Sequence, residues 1–297
     1  MNAVVDASAP SPATAGKALV GLIGAGIQQS LTPAMHEEEA RHHGLRLHYQ
    51  LIDVDRTPGA AGQLPALITA ARIMGFSGLN ITFPFKQAVI PLLDELSDEA
   101  RAMGAVNTVV NDHGRLVGHN TDGSGWSWGF RRTLPDADLG CVVLLGAGGA
   151  GSAIAHALLR LGAKALRVVD SDLARAQALA DSLNSLYGDR ARAANDIAAA
   201  LQGASGLVHA TPTGMTKLPG LPLPAQLLQP SLWVAEIVYF PIETELLKAA
   251  RERGCQVVHG GTMAVGQAVG AFELFTGLRA SPERVEQHFR QLLAQRG

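Results

Sequence analysis

Lys86 is the residue of this sequence best placed to move a proton. It follows residues 78–83, an apolar run that predicts a β-strand, and Pro84 ends that run because proline has a fixed φ and no backbone N–H. Ligands bind at the carboxyl ends of strands in parallel α/β sheets, and a lysine held there among apolar neighbours such as Phe83 and Phe85 is a candidate for proton transfer. A surface lysine that opens the next helix is the alternative interpretation.

A glycine-rich segment predicts a dinucleotide site. The uninterrupted apolar run 141–145 is typical of a central parallel strand, and it leads directly into Gly-Ala-Gly-Gly-Ala-Gly at 146–151. In this G-x-G-x-x-G pattern Gly146 makes the tight turn, Gly148 lets the backbone approach a pyrophosphate, and Gly151 allows close packing of helix on strand. Free N–H groups at the start of the following helix bind phosphates.

Asp170 completes this pattern and indicates which nicotinamide cofactor binds. It ends the next predicted strand, about 20 residues past the loop, where a carboxylate accepts hydrogen bonds from ribose hydroxyls and repels a 2′-phosphate. Residues 170–173 read Asp-Ser-Asp-Leu and contain no arginine, so the sequence predicts NAD over NADP. Two alternatives stay open: Asp170 could be a simple helix N-cap, and Arg175 could reach a 2′-phosphate.

Alternating β-rich and helical patterns predict an α/β fold built from βαβ units with mostly parallel sheets. The predicted strands are 18–23, 47–53, 78–83, 105–110, 115–119, 141–145, 166–169, 206–209, 232–238 and 256–259. The predicted helices include 32–43, 64–74, 123–135 and 174–186, and residues 261–297 are helical. Glu37, Glu38 and Glu39 are expected to form a solvated first helical turn.

Two domains and a tail are predicted. Residues 1–16 form a disordered tail, 17–121 together with 262–297 form a substrate-binding catalytic domain, and 122–261 form a Rossmann-type dinucleotide-binding domain. The C-terminal helices have no strand of their own to cover. We therefore expect them to return and pack on the first domain.

Composition excludes several classes of function. A net charge of −2 gives no basic excess for nucleic acid or an anionic membrane, and no run of about 18 apolar residues predicts a membrane-spanning helix. The ten histidines show no metal-ligand spacing, so no metal is expected. Two cysteines, Cys141 and Cys255, do not make a disulfide framework and favour a reducing cytoplasm. A monomer or homodimer acting on a small molecule is expected.

With these elements in order, the chain closely resembles the shikimate/quinate dehydrogenase family over about residues 18–290. The matching motifs are Ser-Leu-Thr-Pro-Ala-Met-His at 30–36, Asn-Ile-Thr-Phe-Pro-Phe-Lys at 80–86, Gly-Ala-Val-Asn-Thr at 104–108, His-Asn-Thr-Asp-Gly at 119–123, the glycine loop, Ala-Thr-Pro-Thr-Gly-Met at 210–215, and residues 260–267.

The resemblance implies a two-domain enzyme that interconverts a ring alcohol and a ketone with a nicotinamide cofactor in the cleft between the domains. It places the catalytic pair on Lys86 and Asp122. The substrate contacts that it implies, with Asn80 added from the same motif, are Ser30, Thr32, Asn80, Thr82, Lys86, Asn107, Asp122, Tyr239 and Gln267. The predicted cofactor contacts are Gly146, Ala147, Gly148, Gly149, Ala150, Gly151, Asp170, Ser171, Arg175, Thr211, Pro212, Met215, Val238, Gly261 and Met263.

Physical reasoning about these residues agrees with the implied roles. A base must take the hydroxyl proton while hydride leaves the carbinol carbon, and Lys86 and Asp122 are expected to titrate as one coupled unit. Ser30 and Thr32 flank one residue, so an extended backbone would turn both hydroxyls to one side. N-capping by Thr32 is the alternative.

Departures from the family pattern favour its NAD-linked quinate/shikimate branch. Many shikimate enzymes have serine where Thr32 stands, and a threonine there accompanies quinate acceptance. NADP-linked members carry Asn-Arg-Thr where 170–172 read Asp-Ser-Asp, and His209 replaces a usual asparagine. The leading hypothesis is thus an NAD-dependent quinate/shikimate dehydrogenase. The alternatives are an NADP-linked shikimate dehydrogenase of aromatic amino-acid biosynthesis, a dehydrogenase for an amino-substituted or other cyclic hydroxy acid, and a non-catalytic NAD-binding sensor.

Overall fold

A computed structural model describes residues 16–296 and contains two six-stranded sheets, each covered by helices. The predicted tail therefore lies outside the described residues, apart from Gly16. The strands are β1 (Lys17–Gly24), β2 (Arg46–Asp53), β3 (Gly78–Ile81), β4 (Glu95–Leu96), β5 (Thr108–Asp112), β6 (Arg115–His119), β7 (Cys141–Leu145), β8 (Ala165–Val169), β9 (Ala191–Ala194), β10 (Gly206–His209), β11 (Trp233–Glu236) and β12 (Gln256–Val258).

The first sheet is mixed, with strand order β2-β1-β3-β5-β6-β4. β1 runs parallel to β2 and β3, whereas β5 runs antiparallel to both β3 and β6. β4 also runs parallel to β6, so three of the five strand pairs are parallel and the prediction of mostly parallel pairing is confirmed, with β5 as the antiparallel strand. A tight turn at His113 and Gly114, both with positive φ, joins β5 to β6 directly as a hairpin and leaves no room for a crossover helix.

The second sheet is entirely parallel, with strand order β12-β11-β10-β7-β8-β9. Within this sheet the central strand β7 comes first along the chain, and β8 and β9 extend the sheet to one side. The chain then crosses back and adds β10, β11 and β12 on the other side. This is the doubly wound Rossmann arrangement, in which ligands bind where the strand order reverses, here between β7 and β10.

The helices are α1 (Thr32–His42), α2 (Leu64–Ile73), α3 (Asp98–Met103), α4 (Asp122–Thr133), α5 (Gly149–Arg160), α6 (Leu173–Tyr187), α7 (Ile197–Leu201), α8 (Glu245–Glu252), α9 (Gly261–Thr276) and α10 (Pro282–Ala294). The domain boundaries that we propose, at 121/122 and 261/262, fall at the start of α4 and one residue into α9. Within residues 16–296, no helix is both long and apolar enough to cross a membrane.

α4 and α9 connect the two sheets and cross each other at glycines. A Cβ on Gly125 would overlap the backbone nitrogen of Gln267, and a Cβ on Gly266 would lie 2.5 Å from the carbonyl oxygen of Gly125. The two helices therefore touch backbone to backbone, which is possible only where both lack side chains.

The C-terminal helices return to the first sheet, as predicted. Arg284, on α10, pairs with Glu39 of α1 at 2.5 Å, and Glu39 also accepts a hydrogen bond from the backbone N–H of Ser281 at 2.8 Å. The expectation that Glu37, Glu38 and Glu39 form a solvated first turn is wrong, because α1 begins at Thr32 and because α10 covers Glu39. Burial of this carboxylate is offset by its charged and hydrogen-bonded partners.

Candidate active site

Lys86 and Asp122 form an ion pair, with 2.5 Å between Nζ and Oδ2. Lys86 lies in the turns after β3, and Asp122 is the first residue of α4. Their side chains are 18% and 6% exposed, so the pair is largely withdrawn from solvent but Lys86 keeps some access. Such an arrangement can pass a proton to or from a group that reaches Lys86.

Asn107 fixes the aspartate. Its Nδ2 donates to Asp122 Oδ1 at 2.9 Å and to Thr121 Oγ1 at 3.0 Å, while its Oδ1 accepts from the backbone N–H of Thr121 at 2.8 Å. The backbone N–H of Asp122 donates in turn to Asn120 Oδ1 at 3.0 Å. Because one carboxylate oxygen is held by Asn107, the other is directed to Lys86.

Asn80 is hydrogen-bonded to Asn107, which in turn holds Asp122. Its Oδ1 accepts from Tyr49 Oη at 2.6 Å, and its Nδ2 donates to the carbonyl of Asn107 at 3.2 Å and to Thr108 Oγ1 at 3.1 Å. Both amide hydrogens are thus used inside the protein, and the side chain is buried. Because Asn80 is linked to Asp122 only through Asn107, the geometry favours a supporting role for Asn80 over the direct substrate contact that the sequence suggested.

Ser30, Thr32 and Tyr239 lie close together although they come from distant parts of the chain. Burial raises the pKa of Tyr239, and a hydrogen bond with the Ser30 side chain acts in the opposite direction. The expectation of an extended backbone at 30–32 is wrong, because Leu31 has helical angles (φ −88°, ψ −6°) and caps α1 without a side-chain hydrogen bond. Thr32 is consequently the first helical residue, and its N–H donates to Ser30 Oγ at 3.3 Å.

Thr82 and Gln267 complete the predicted substrate contacts. Thr82 is half-buried, and its methyl group packs so closely on Gly24 that a Cβ there would overlap it. Gln267 is half-buried on α9, and its Nε2 donates to the carbonyl of Ala264 at 3.0 Å.

The glycine loop adopts the geometry that a pyrophosphate needs. Gly146 has φ +103°, and a Cβ on Gly151 would overlap the carbonyl oxygen of Gly146. Nothing lies within 4 Å of a Cβ on Gly148, so that face of the loop is open. A Cβ on Gly149 would lie 3.5 Å from both Cβ and Cδ of Lys86, which places the ion pair directly beside the loop.

Asp170 is hydrogen-bonded to the same loop. Its Oδ2 accepts from the backbone N–H of Ala147 at 2.7 Å and its Oδ1 from that of Asp172 at 2.9 Å. Burial raises the pKa of Asp170, but these hydrogen bonds, the charge of Arg175 and the Ser171 hydroxyl together lower it below its usual value. Arg175 lies 3.5 Å from Asp170 and 3.4 Å from Asp172, so two carboxylates already neutralise its charge.

The remaining predicted cofactor contacts surround the ends of β10 and β11 and the start of α9. Thr211 follows β10, and its Cγ2 would lie 3.0 Å from a Cβ on Gly146. Pro212 and Met215 are exposed on the loop beyond it, whereas Ala150 is half-buried at the start of α5. Val238, Gly261 and Met263 are buried, and Met263 is part of the apolar core beneath the second sheet.

Sequence reasoning missed two residues of this region, His209 and Glu236. They are buried partners on neighbouring strands, and the histidine also contacts Thr211. The only sequence signal was His209 in place of the family's usual asparagine.

The open face of the glycine loop at Gly148 and the carboxylate of Asp170 beside the loop fit a dinucleotide. Comparisons with known proteins agree with this. Residues 22–109 match the family model described as the shikimate dehydrogenase substrate binding domain. A protein of Streptomyces avermitilis named shikimate dehydrogenase (NADP(+)) is 59% identical over 87% of this chain and 90% of its own length. One of Corynebacterium glutamicum strain R, named quinate/shikimate dehydrogenase (NAD(+)), is 48% identical over 92% of this chain and 98% of its own.

Solved structures give the same result. The structure of quinate dehydrogenase from Corynebacterium glutamicum in complex with NAD aligns with a TM-score of 0.87 at 47% identity, covering 93% of this chain and 100% of the other. The chain is therefore a two-domain oxidoreductase with a Rossmann-type domain. It belongs to the shikimate/quinate dehydrogenase family, as the resemblance predicted.

Proposed function

We propose that this chain is an NAD-dependent dehydrogenase that interconverts quinate and 3-dehydroquinate, and shikimate and 3-dehydroshikimate. The observation that carries this proposal is the position of Lys86. Its stem lies against Gly149 of the dinucleotide loop while its Nζ is paired with Asp122. A proton-transfer group beside the cofactor loop is what oxidation of a secondary alcohol requires.

The protein's own groups account for the proton. A dinucleotide whose pyrophosphate is held by the loop 146–151 would supply the acceptor for the hydride of the carbinol carbon. Lys86, when neutral, takes the proton of the hydroxyl and returns it to the ketone oxygen in the reverse direction. Asp122 stabilises the ammonium that forms, and Asn107 keeps the carboxylate oriented towards Lys86.

Several polar side chains are proposed to bind the ring. A carboxylate-bearing polyol needs convergent hydroxyl and amide groups, which both domains supply. The proposed contacts are Ser30, Thr32, Thr82, Asn107, Tyr239 and Gln267. The methyl group of Thr32 favours quinate at the carboxylate end, on the family pattern, whereas Asn80 is proposed to support Asn107.

NAD is proposed over NADP because of Asp170. A carboxylate at the end of β8 accepts from ribose hydroxyls and repels a 2′-phosphate. Arg175 is held between Asp170 and Asp172, which leaves little unpaired positive charge for that phosphate. The Streptomyces avermitilis relative is named for NADP(+), so an NADP-linked shikimate dehydrogenase is the second candidate, and half-exposed Arg175 would have to leave its partners to serve it.

Initial rates of reduced-cofactor formation, measured for quinate and shikimate with NAD and with NADP, test both proposals. We expect higher kcat/KM with NAD for either acid. Higher kcat/KM with NADP would contradict the Asp170 argument. Absence of turnover in all four mixtures, with NAD still bound, would favour another cyclic hydroxy acid or a non-catalytic sensor.

The cellular setting is also a proposal. Cys141 and Cys255 are both free thiols, which fits a reducing cytoplasm. A monomer or a homodimer is proposed, and light scattering of the purified protein distinguishes the two.

A further inference from the structure

His209 and Glu236 form a buried polar pair outside the Lys86 site. They are the last residues of β10 and β11 and stand opposite each other in the parallel register. Both side chains have 0% exposure. His209 Nδ1 lies 2.9 Å from Glu236 Oε1 and 3.0 Å from Oε2. Groups of this polarity are costly to bury, so their partners indicate what the pair does.

Protein donors reach both carboxyl oxygens of Glu236. Glu236 Oε1 accepts from the backbone N–H of Val238 at 2.9 Å, and Oε2 accepts from Thr244 Oγ1 at 3.1 Å. Thr244 Oγ1 itself accepts from the N–H of Leu247 at 3.3 Å, so its own proton is directed to Glu236. Both carboxyl oxygens of Glu236 therefore act as hydrogen-bond acceptors. Nδ1 of His209 is then the donor to Glu236, and in the neutral tautomer with this arrangement Nε2 presents a lone pair.

That lone pair meets the hydroxyl of Thr211. Nε2 lies 2.5 Å from Thr211 Oγ1, so the hydroxyl donates inward to His209. The oxygen also accepts from the N–H of Thr213 at 3.3 Å, a long contact that leaves accepting capacity on the oxygen. Its methyl group is held against Gly146 of the dinucleotide loop.

We propose that His209 and Glu236 are positioning residues, which lock the Thr211 hydroxyl as a hydrogen-bond acceptor for a donor group of the dinucleotide. The donor is a ribose hydroxyl or the carboxamide N–H of the nicotinamide. This inference rests on the proposed function, since it takes Thr211 as a cofactor contact. It assigns a role in cofactor affinity to two residues that do not themselves touch the cofactor.

The variant His209→Asn tests the two hydrogen bonds of the imidazole separately. His209→Asn places an amide N–H near the position of Nδ1 and can keep the bond to Glu236, but nothing replaces Nε2. We expect a roughly three- to tenfold rise in the KM for NAD, as for loss of one hydrogen bond. Thr211→Val should give a similar rise. The double variant should be no worse than either single one, because both remove the same interaction.

The KM for the ring acid is the internal reference for these variants. At saturating NAD, the KM for quinate or shikimate should stay within about twofold in His209→Asn, since one distant hydrogen bond is lost. His156→Asn is the matched control: it removes another buried histidine, on α5, whose Nδ1 lies 3.0 Å from Oη of Tyr187 at the end of α6. It should lower the melting temperature without changing the KM for NAD.

Three outcomes would overturn the inference. They are an unchanged KM for NAD in folded His209→Asn, effects that add in the double variant, and equal rises in the KM values for NAD and the ring acid. If His209→Asn does not fold, Glu236→Gln serves instead, because an amide donating to Nδ1 reverses the tautomer and should also weaken NAD. If the wild type turns over neither acid, calorimetric Kd values for NAD in the same variants test the inference separately from the proposed function.

Discussion

The two sides of the cleft are built in opposite ways. On the side of the first sheet, a chain of side chains (Asn80, Asn107, Asp122 and Lys86) forms the site, each holding the next by hydrogen bonds. On the side of the second sheet, the loop 146–151 contributes its main chain, and this requires glycine at positions 146, 148 and 151. The first kind of site fails when a functional group is removed, and the second when an atom is added.

Removal of the amine of Lys86 should have the largest effect. Lys86→Met keeps the stem that packs beside Gly149 but cannot accept a proton. We expect kcat to fall by at least about 100-fold, within the range for loss of a general base. Steady-state kinetics with quinate and shikimate measure this change.

NAD binding is the control for Lys86→Met. The calorimetric Kd for NAD should remain close to that of the wild type, because the loop is untouched. A variant that keeps more than a tenth of wild-type kcat would remove Lys86 from the proposed chemistry.

Two alanine substitutions in the glycine loop should separate an effect on folding stability from an effect on the approach of the pyrophosphate. In Gly151→Ala the new Cβ would overlap the carbonyl of Gly146, so the free energy of unfolding should fall by about 1–3 kcal/mol or more. In Gly148→Ala the φ of −74° is permitted and nothing lies within 4 Å, so stability should be unchanged while the approach of the pyrophosphate is blocked. Urea unfolding and the Kd for NAD measure the two effects. Equal destabilisation in both variants would contradict this distinction.

The second sheet and its loop could be predicted closely from the sequence. Its strands are short, continuous apolar runs, and G-x-G-x-x-G in a strand–turn–helix context depends only on local sequence. The strands predicted at 141–145 and 206–209 match β7 and β10. β9 was missed, because Ala191–Ala194 contains an arginine and no large apolar residue.

The first sheet and its site could be predicted only in part. The sequence identified Lys86 and Asn107 through motifs, but the antiparallel pairing of β5 depends on which strands meet in space. The bonds of Asn80 inside the protein and the burial of Glu39 under α10 are long-range facts, and the helical angles of Leu31 are a context-dependent one. The same holds for His209, whose partner lies on another strand.

The crossing of α4 and α9 connects the two sides of the cleft. As in the glycine loop, an added Cβ should lower the free energy of unfolding here. Gly125→Ala would force a Cβ into the backbone of Gln267, so we expect a loss of about 1–3 kcal/mol in the free energy of unfolding. Because Gln267 is a proposed ring contact, the KM for the ring acid should rise as well. Gly62→Ala is the control, since nothing lies within 4 Å of its Cβ and its φ is not positive. A stable Gly125→Ala with normal KM would show that the helices can separate without cost.

The smallest expected effect is the pH dependence that buried histidines give to each side. Burial lowers the pKa of His36, on the first side, from 6.5 to about 4, although its bond to the Thr32 carbonyl acts in the opposite direction. Burial and then the charge of Arg160 lower the pKa of His156, on the second side, to about 4 as well. Between these values the unfolded chain binds more protons than the folded one, so stability falls as the pH falls from about 6.5 towards 4.

For His36 alone, the linkage relation gives a loss of about 1 kcal/mol between pH 7.5 and pH 5.5. His36→Gln cannot titrate, so its free energy of unfolding should fall by about that much less over the same interval. Urea unfolding at the two pH values measures the difference. Unfolding at pH 7.5 and 8.5 is the control, because His36 is largely neutral there in both the folded and the unfolded chain. Identical slopes for His36→Gln and the wild type would mean that His36 takes up its proton in the folded state. His156→Asn repeats the test on the second side, and a slope change there without one in His36→Gln would confine the acid-sensitive element to the dinucleotide-binding domain.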